Sequence, residues 1–236
     1  DESLQLINLG LDIVADSFYP FKISLSNIEF IFSEKDSLQV NKALEDEENN
    51  PFIEFYQGII KDQILLYQPK IICISFTAPT QIIPAFTLLR MIKKHDSSIL
   101  NIIGGNVVTR LKEFFTRDNV LSGYYDLIIT GEGESKLPVI CKSILDGENI
   151  KQPDINKYNF SPTNVSLVPT PNFDDLNLGD YFDIKPILPI FASRRCYWDK
   201  CTFCDIPFGY DVTHRARNAK NIVDEIEYLS KKYSVS

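Results

Sequence analysis

"KIICISFTAPTQIIPAFTLLRMIKKHDSSILNIIGGN", residues 70–106, decides the fold. Its first part, "IICISF" (71–76), is a continuous apolar run bounded by turn residues, the pattern of a strand buried on both faces. "TQIIPAFTLLRMIKKH" (80–95) reads as a helix, with Thr80 at its N-cap and a basic last turn that suits the helix dipole. "SILNIIGGN" (98–106) is a second buried strand, closing on a glycine pair. Strand, helix and strand at this spacing predict parallel pairing through a right-handed crossover.

The alternation continues on both sides. "VVTRLKEFF" (107–115) is a short helix, "YDLIITGEGE" (125–134) a third strand, and "SKLPVICKSILDG" (135–147) a helix stopped by Gly147. Upstream, "PFIEFYQGIIKDQILLY" (51–67) sets Phe52, Phe55, Tyr56, Ile59, Ile60 and Ile64 at helical spacing. Pro51 suits its first turn and Pro69 ends it. "LQLINLGLD" (4–12) reads as one more strand, and "EDEENN" (45–50) as an exposed acidic loop. The expectation is an α/β domain over 1–147, a Rossmann-like doubly wound parallel sheet with strands near 71–76, 99–104 and 125–130. No internal repeat interrupts it.

After Gly147 the composition shifts. Residues 148–186 are rich in Pro, Asn and Asp, lack a sustained period, and read as a linker. Regularity returns over 187–236. "ILPIFASRR" (187–195) reads as a strand, followed by a cysteine loop. An amphipathic helix then carries Ile222, Val223, Ile226, Leu229 and Tyr233 on one face. One strand, one loop and one helix are too little to bury a core alone.

The net charge of −8 disfavours nucleic acid and anionic membrane surfaces as partners. No apolar run reaches the length of a membrane span, and no basic-then-apolar signal opens the chain, which reads as cytoplasmic. In a reducing compartment clustered thiols are metal ligands or redox groups rather than disulfides, and the count of five is odd.

Ligands of parallel sheets bind at the carboxyl ends of the strands. Three loops fall there: "SFTAPT" with Ser75 and Thr77, "GGN" with Gly104, Gly105 and Asn106, and "GEGE" with Gly131, Glu132, Gly133 and Glu134. Taken singly, each reads as a tight turn entering a helix; three on one edge mark it as a candidate cofactor site. Neither a dinucleotide-binding glycine fingerprint nor a phosphate loop is present. Cys196, Cys201 and Cys204 form Cys-x4-Cys-x2-Cys, a spacing that wraps three thiolates around one inorganic centre. A zinc ion would seek a fourth ligand, for which His214 stands near, whereas an iron–sulfur cluster would keep one iron open. Cys73 and Cys141, among aliphatic neighbours, read as small buried hydrophobes.

"FASRRCYWDKCTFCD" (191–205), with the order of the runs before it and "PTPNFDDL" (169–176), resembles the cobalamin-binding radical SAM superfamily over most of residues 70–236. The resemblance implies a cobalamin-type Rossmann-like domain, a linker, and the truncated start of a radical SAM β/α barrel at 187–236. It implies a four-iron four-sulfur cluster on Cys196, Cys201 and Cys204, with S-adenosylmethionine at the open iron and its adenine near Phe203. Its activity would be reductive cleavage of that cofactor, with methyl transfer as one outcome, on a small-molecule or peptide substrate and with an external electron donor. Arg195 stands where the family has glycine, and the first cysteine gap is one residue longer than the commonest. The Asp-x-His-x-x-Gly motif is missing, so any cobalamin would lack a protein histidine ligand. A full barrel takes on the order of 200 residues. The chain is therefore expected to be an excised piece without turnover of its own. The rival reading is a non-enzymatic regulatory or interaction module with a Cys3His zinc site.

Overall fold

The computed structural model describes residues 2–150, 162–181, 186–204 and 213–235. The chain divides into two compact units, 1–159 and 160–236. Part of the segment expected as a linker (151–161 and 182–185) and the residues after the last cysteine (205–212) lie outside the described residues.

Three parallel strands organise the first unit: β3 (Ile71–Ser75), β4 (Leu100–Gly104) and β5 (Leu127–Ile128), in that spatial order. Ile71 pairs with Leu100 and Ile102 with Leu127. Helices lie on both faces, as in a Rossmann-like fold. Alternation along the strands decides which residue meets which layer. Ile74, Ile103 and Ile128 face a core shared with α4 (Ile82–His95), α5 (Asn106–Arg110) and α6 (Lys112–Arg117). Ile71, Ile102 and Leu127 face the opposite layer, where Ile140 and Ile144 of α7 (Leu137–Leu145) pack. Phe76, Phe86 and Phe115 form the centre of the larger core, all fully buried, with ring centroids 6.0–6.1 Å apart. Each such ring contributes about 1.5–3 kcal/mol by leaving water.

Two buried asparagines tie the layers. Asn50 Nδ2 donates to the Ala43 carbonyl (2.8 Å) and to Thr87 Oγ1 on α4 (2.9 Å). Asn101 Nδ2 on β4 donates to the carbonyls of Leu89 (3.2 Å) and Tyr124 (2.9 Å). Before the sheet come α1 (Glu2–Ser17), the two-residue strands β1 (Lys22–Ile23) and β2 (Ile28–Glu29), α2 (Ser37–Ala43) and α3 (Phe52–Ile59). The helix that α3 begins widens to a π-turn over Ile60–Ile64 and tightens over Leu65–Tyr67. It ends at Gln68, whose φ of 45° reverses the chain before Pro69.

Three expectations are corrected here. Residues 4–12 belong to helix α1, not to a strand. The spacing Leu9, Leu11, Ile13 imitates strand alternation, but Leu4, Leu11, Ala15 and Phe18 supply the less exposed helical face. The α4 region starts through a short 3₁₀ turn, Pro79–Gln81, ordered by Gln81 rather than capped by Thr80. Cys73 is exposed and Cys141 half-buried, so neither is a core residue.

In the second unit, α8 (Ala219–Tyr233) is capped by Asn218, whose Oδ1 accepts from the Lys220 N–H at 2.8 Å. The run 187–195 yields only β6 (Ser193–Arg194), paired antiparallel with β7 (Arg215–Ala216) rather than parallel as a first barrel strand. Pro189 interrupts the run, and proline cannot donate to a ladder. Among the described residues no β/α barrel forms. Of the apolar stripe on α8, Leu229 is buried, whereas Val223 and Ile226 are exposed. Tyr233 and Lys232 at its end hold residues 172–174: Tyr233 accepts from the Phe173 N–H (2.8 Å), and Lys232 Nζ lies 2.7 Å from Asp174 Oδ1.

Candidate functional site

The three carboxyl-edge loops are ordered by residues whose roles no motif announces. In the first, Gln81 Oε1 accepts from the backbone N–H groups of Thr77 (2.8 Å) and Ala78 (3.1 Å) and from Thr77 Oγ1 (3.2 Å). Ser75 and Thr77 are exposed at the strand end. In the second, Gly105 adopts φ 96°. A Cβ there would fall 2.6 Å from both the Phe76 carbonyl and Ser75 Oγ. The close approach that this glycine permits is between the ends of β3 and β4, sealed by the Val107 N–H donating to the Phe76 carbonyl at 3.1 Å. Gly104 and Asn106 beside it are half-buried.

Thr109 links the second loop to the third. Its hydroxyl donates to the Gly105 carbonyl (2.8 Å) and accepts from the Gly131 N–H (2.9 Å). Lys136 Nζ donates to the Thr130 carbonyl at 2.6 Å, folding the lysine back over Gly131 (φ 73°). Gly131, Glu132 and Gly133 are half-buried and Glu134 is exposed. The structure thus brings Ser75, Gly105 and Gly131 to one edge, with Gln81, Thr109 and Lys136 as the braces. Thr109 was findable as a threonine four residues after a glycine turn, placed to bond back along its helix.

The cysteine loop leaves β6 through Arg195, whose φ of 67° is left-handed. A glycine takes this conformation without the penalty an L side chain carries. That is a physical reason for glycine at this position in the resembled family. Here the Arg195 side chain is only 10% exposed and meets Asp199 at 3.1 Å. Cys196 and Cys204 are half-buried and Cys201 is exposed, all with free thiols. The Cys204 N–H donates to the Cys201 carbonyl at 3.2 Å, curling residues 201–204 into a turn. Tyr197, Trp198 and Phe203 are exposed, Phe203 at 90%. His214 returns beside the loop, edge-on to the Tyr197 ring with centroids 6.2 Å apart.

The donor set, three soft thiolates on nine residues, fits an iron–sulfur cluster or zinc by its chemistry. Among the described residues, no three His, Cys, Asp or Glu side chains are drawn together as a single metal ion would require.

At the base of the loop sits a pair the motifs did not reveal. Arg217 and Glu225 are both buried, side chains 4% and 3% exposed, joined by two hydrogen bonds of 3.0 and 2.8 Å. Arg217 also donates to the Phe191 carbonyl (3.0 Å) and lies over the Phe191 ring. Its hydrogen bonds hold the Glu225 carboxyl below the usual carboxylate range, against the opposing effect of burial. The signal was present: Glu225 interrupts the apolar positions Ile222 and Leu229 on the inner face of α8.

On the sheet, burial and then the neighbouring Cys141 sulfur push the Cys73 thiol up to about 11.

A stretch of 112 residues, 48% of the chain, is 30% identical to an uncharacterized methyltransferase of Synechocystis sp.. The match covers 19% of that protein, so the chain spans about a fifth of this relative's length. No family profile and no solved structure matches the chain. No helix among the described residues is long and apolar enough to cross a membrane. The chain is a mixed α/β protein with a three-stranded parallel sheet, distantly similar to part of that methyltransferase.

Proposed function

We propose that the chain is part of a radical SAM enzyme with a cobalamin-type domain, acting as a methyltransferase. The observation that carries this reading is the Cys196-x4-Cys201-x2-Cys204 loop, anchored between β6 and β7. The description of the Synechocystis relative as a methyltransferase supports the outcome. A four-iron four-sulfur cluster held by Cys196, Cys201 and Cys204 would supply the reducing electron for cleavage of a carbon–sulfur bond of S-adenosylmethionine. The chain's own part is to hold the cluster with three thiolates and leave the fourth iron free. Phe203, almost wholly exposed, offers a flat apolar face for an adenine ring. Ser75, Thr77, Gly104, Gly105, Asn106, Gly131, Glu132, Gly133 and Glu134 line the edge at which a cobalamin would bind, without a histidine ligand. Substrate and electron donor complete the whole protein's reaction.

His214 beside Tyr197 favours a second reading, a Cys3His zinc site in a non-enzymatic module. Anaerobic reconstitution followed by iron, sulfide and zinc analysis separates the two. About four irons with matching sulfide per chain support the enzyme. Stoichiometric zinc that survives iron loading, and is lost in His214→Ala, supports the module and overturns the enzyme. Titration with hydroxocobalamin tests the sheet edge; no spectral change at millimolar protein removes cobalamin from the proposal.

A further inference from the structure

We infer that Cys73 and Cys141 form a thiol-modification site that low-molecular-weight disulfides, such as glutathione disulfide, convert to an internal disulfide joining β3 to α7. The observation is their juxtaposition. Cys73 lies mid-strand on the side of the sheet that α7 covers, and Cys141 lies on α7 between Leu137 and Ile144, the residues that pack against that side, with its sulfur neighbouring Cys73. The register of the layer supports the juxtaposition. Ile71 and Ile144 belong to the same packed cluster. Two residues along β3 and three residues back along α7 bring the chain to Cys73 and Cys141, so helix and strand run past each other in opposite directions. Steps of roughly 6.6 Å along a strand and 4.5 Å along a helix keep such pairs in reach.

Access is provided by the same face. Cys73 and Ser75 are both exposed there, on a strand that pairs, among the described residues, with β4 alone. Two neighbouring thiols, one exposed and one half-buried, differ from structural core cysteines, which are shielded from reagents. The site is separate from the cysteine loop and does not depend on what that loop binds.

The chemistry balances as two exchanges. One cysteine, as thiolate, attacks a sulfur of glutathione disulfide; the sulfur–sulfur bond breaks, and one glutathione thiolate leaves and takes up a proton. The second cysteine loses its proton to water and attacks the protein sulfur of the mixed disulfide, releasing the second glutathione. Both cysteines are oxidised, and the reagent is reduced to two glutathione molecules. The product fixes α7 to β3 and, through α7, the loop from Gly131 to Lys136 that immediately precedes it.

The test is peptide mapping of the chain under non-reducing conditions after glutathione disulfide treatment. It is repeated in the chain carrying Cys196→Ala, Cys201→Ala and Cys204→Ala. The expected result in both is a cross-linked peptide containing Cys73 and Cys141, without retained glutathione. Dithiothreitol should reverse it, and Tm should rise by several degrees in the oxidised form. Cys73→Ser or Cys141→Ser, in the triple-substituted background, should stop at one glutathione adduct. Should that background fail to fold, the mapped peptide in the unsubstituted chain decides alone. Two stable glutathione adducts, no reaction at either thiol, or a disulfide from Cys73 or Cys141 to a loop cysteine would overturn the inference.

Discussion

Gly105 illustrates what one residue can fix. Its backbone is left-handed, and the absent side chain leaves room for the end of β3. Gly105→Ala should therefore cost about 3 kcal/mol, from backbone strain together with the forced separation of Phe76. Urea unfolding followed by far-UV circular dichroism measures it. Gly123→Ala, where nothing lies within 4 Å of a new Cβ, is the control and should change stability by under about 0.5 kcal/mol. Arg195 shows the opposite compromise. Arg195→Gly removes the left-handed strain of about 1–2 kcal/mol but also the contact with Asp199, so its net effect on stability should stay within about 1 kcal/mol. A drop of several kcal/mol would mean that the arginine side chain, rather than the backbone turn, holds the loop entrance.

Among elements, the order of pieces between β3 and α7 was legible because each follows one period, although the strand expected over 125–130 shortens to Leu127–Ile128 and the helix expected over 107–115 divides into α5 and α6. Continuous apolar strands alternate with helices whose inner faces repeat every three to four residues. Helix α1 was not legible, since Leu9, Leu11 and Ile13 carry a period of two within a helical segment and none of its residues is buried. Residues 187–192 failed differently. An apolar run becomes a strand only beside a partner, and β7 offers two residues of pairing. At the candidate site, glycine and cysteine positions were visible from composition. Gln81 and Lys136 were not, because they act through backbone groups that only the folded loops bring near.

The Arg217–Glu225 pair sets an element-scale prediction. A carboxyl with a depressed folded pKa adds stability that is full above the unfolded value of about 4.3 and is lost as pH falls through the folded value. The second unit should accordingly unfold on acidification below about pH 4, followed by the fluorescence of Trp198, the chain's one tryptophan. Glu225→Gln should cost about 3 kcal/mol at pH 7 by stranding a buried guanidinium, and should flatten the acid dependence. An unchanged acid transition in Glu225→Gln would assign it to other carboxylates.

For the molecule as a whole, the five thiols fall into two chemical groups on two compact units. With Cys73 raised to about 11, its thiolate fraction at pH 8 is about one in a thousand. Iodoacetamide should therefore label Cys73 more slowly at pH 8 than the exposed loop thiol Cys201, and its rate should climb until about pH 11. Equal rates at pH 8 would contradict the raised Cys73 value. Iron binding should divide the same way. Alanine at Cys196, Cys201 or Cys204 should abolish iron uptake, while Cys73→Ala and Cys141→Ala should retain it; iron loss in either of the latter, with the fold intact, would relocate the ligands.

The clamp of β6 on β7 has a bearing on how such a loop changes over time. Its ends are joined by the strand pairing and by the Arg217 N–H donating to the Ala192 carbonyl at 2.9 Å. The entropy of closing a loop grows only with the logarithm of its length, about 0.6 kcal/mol per doubling. One residue gained or lost between Cys196 and Cys201 is then almost invisible to folding, yet it moves one donor relative to the other two. Insertion and deletion can retune ligation here while leaving the scaffold untouched, so spacing in this loop is free to drift wherever chemistry, rather than stability, permits.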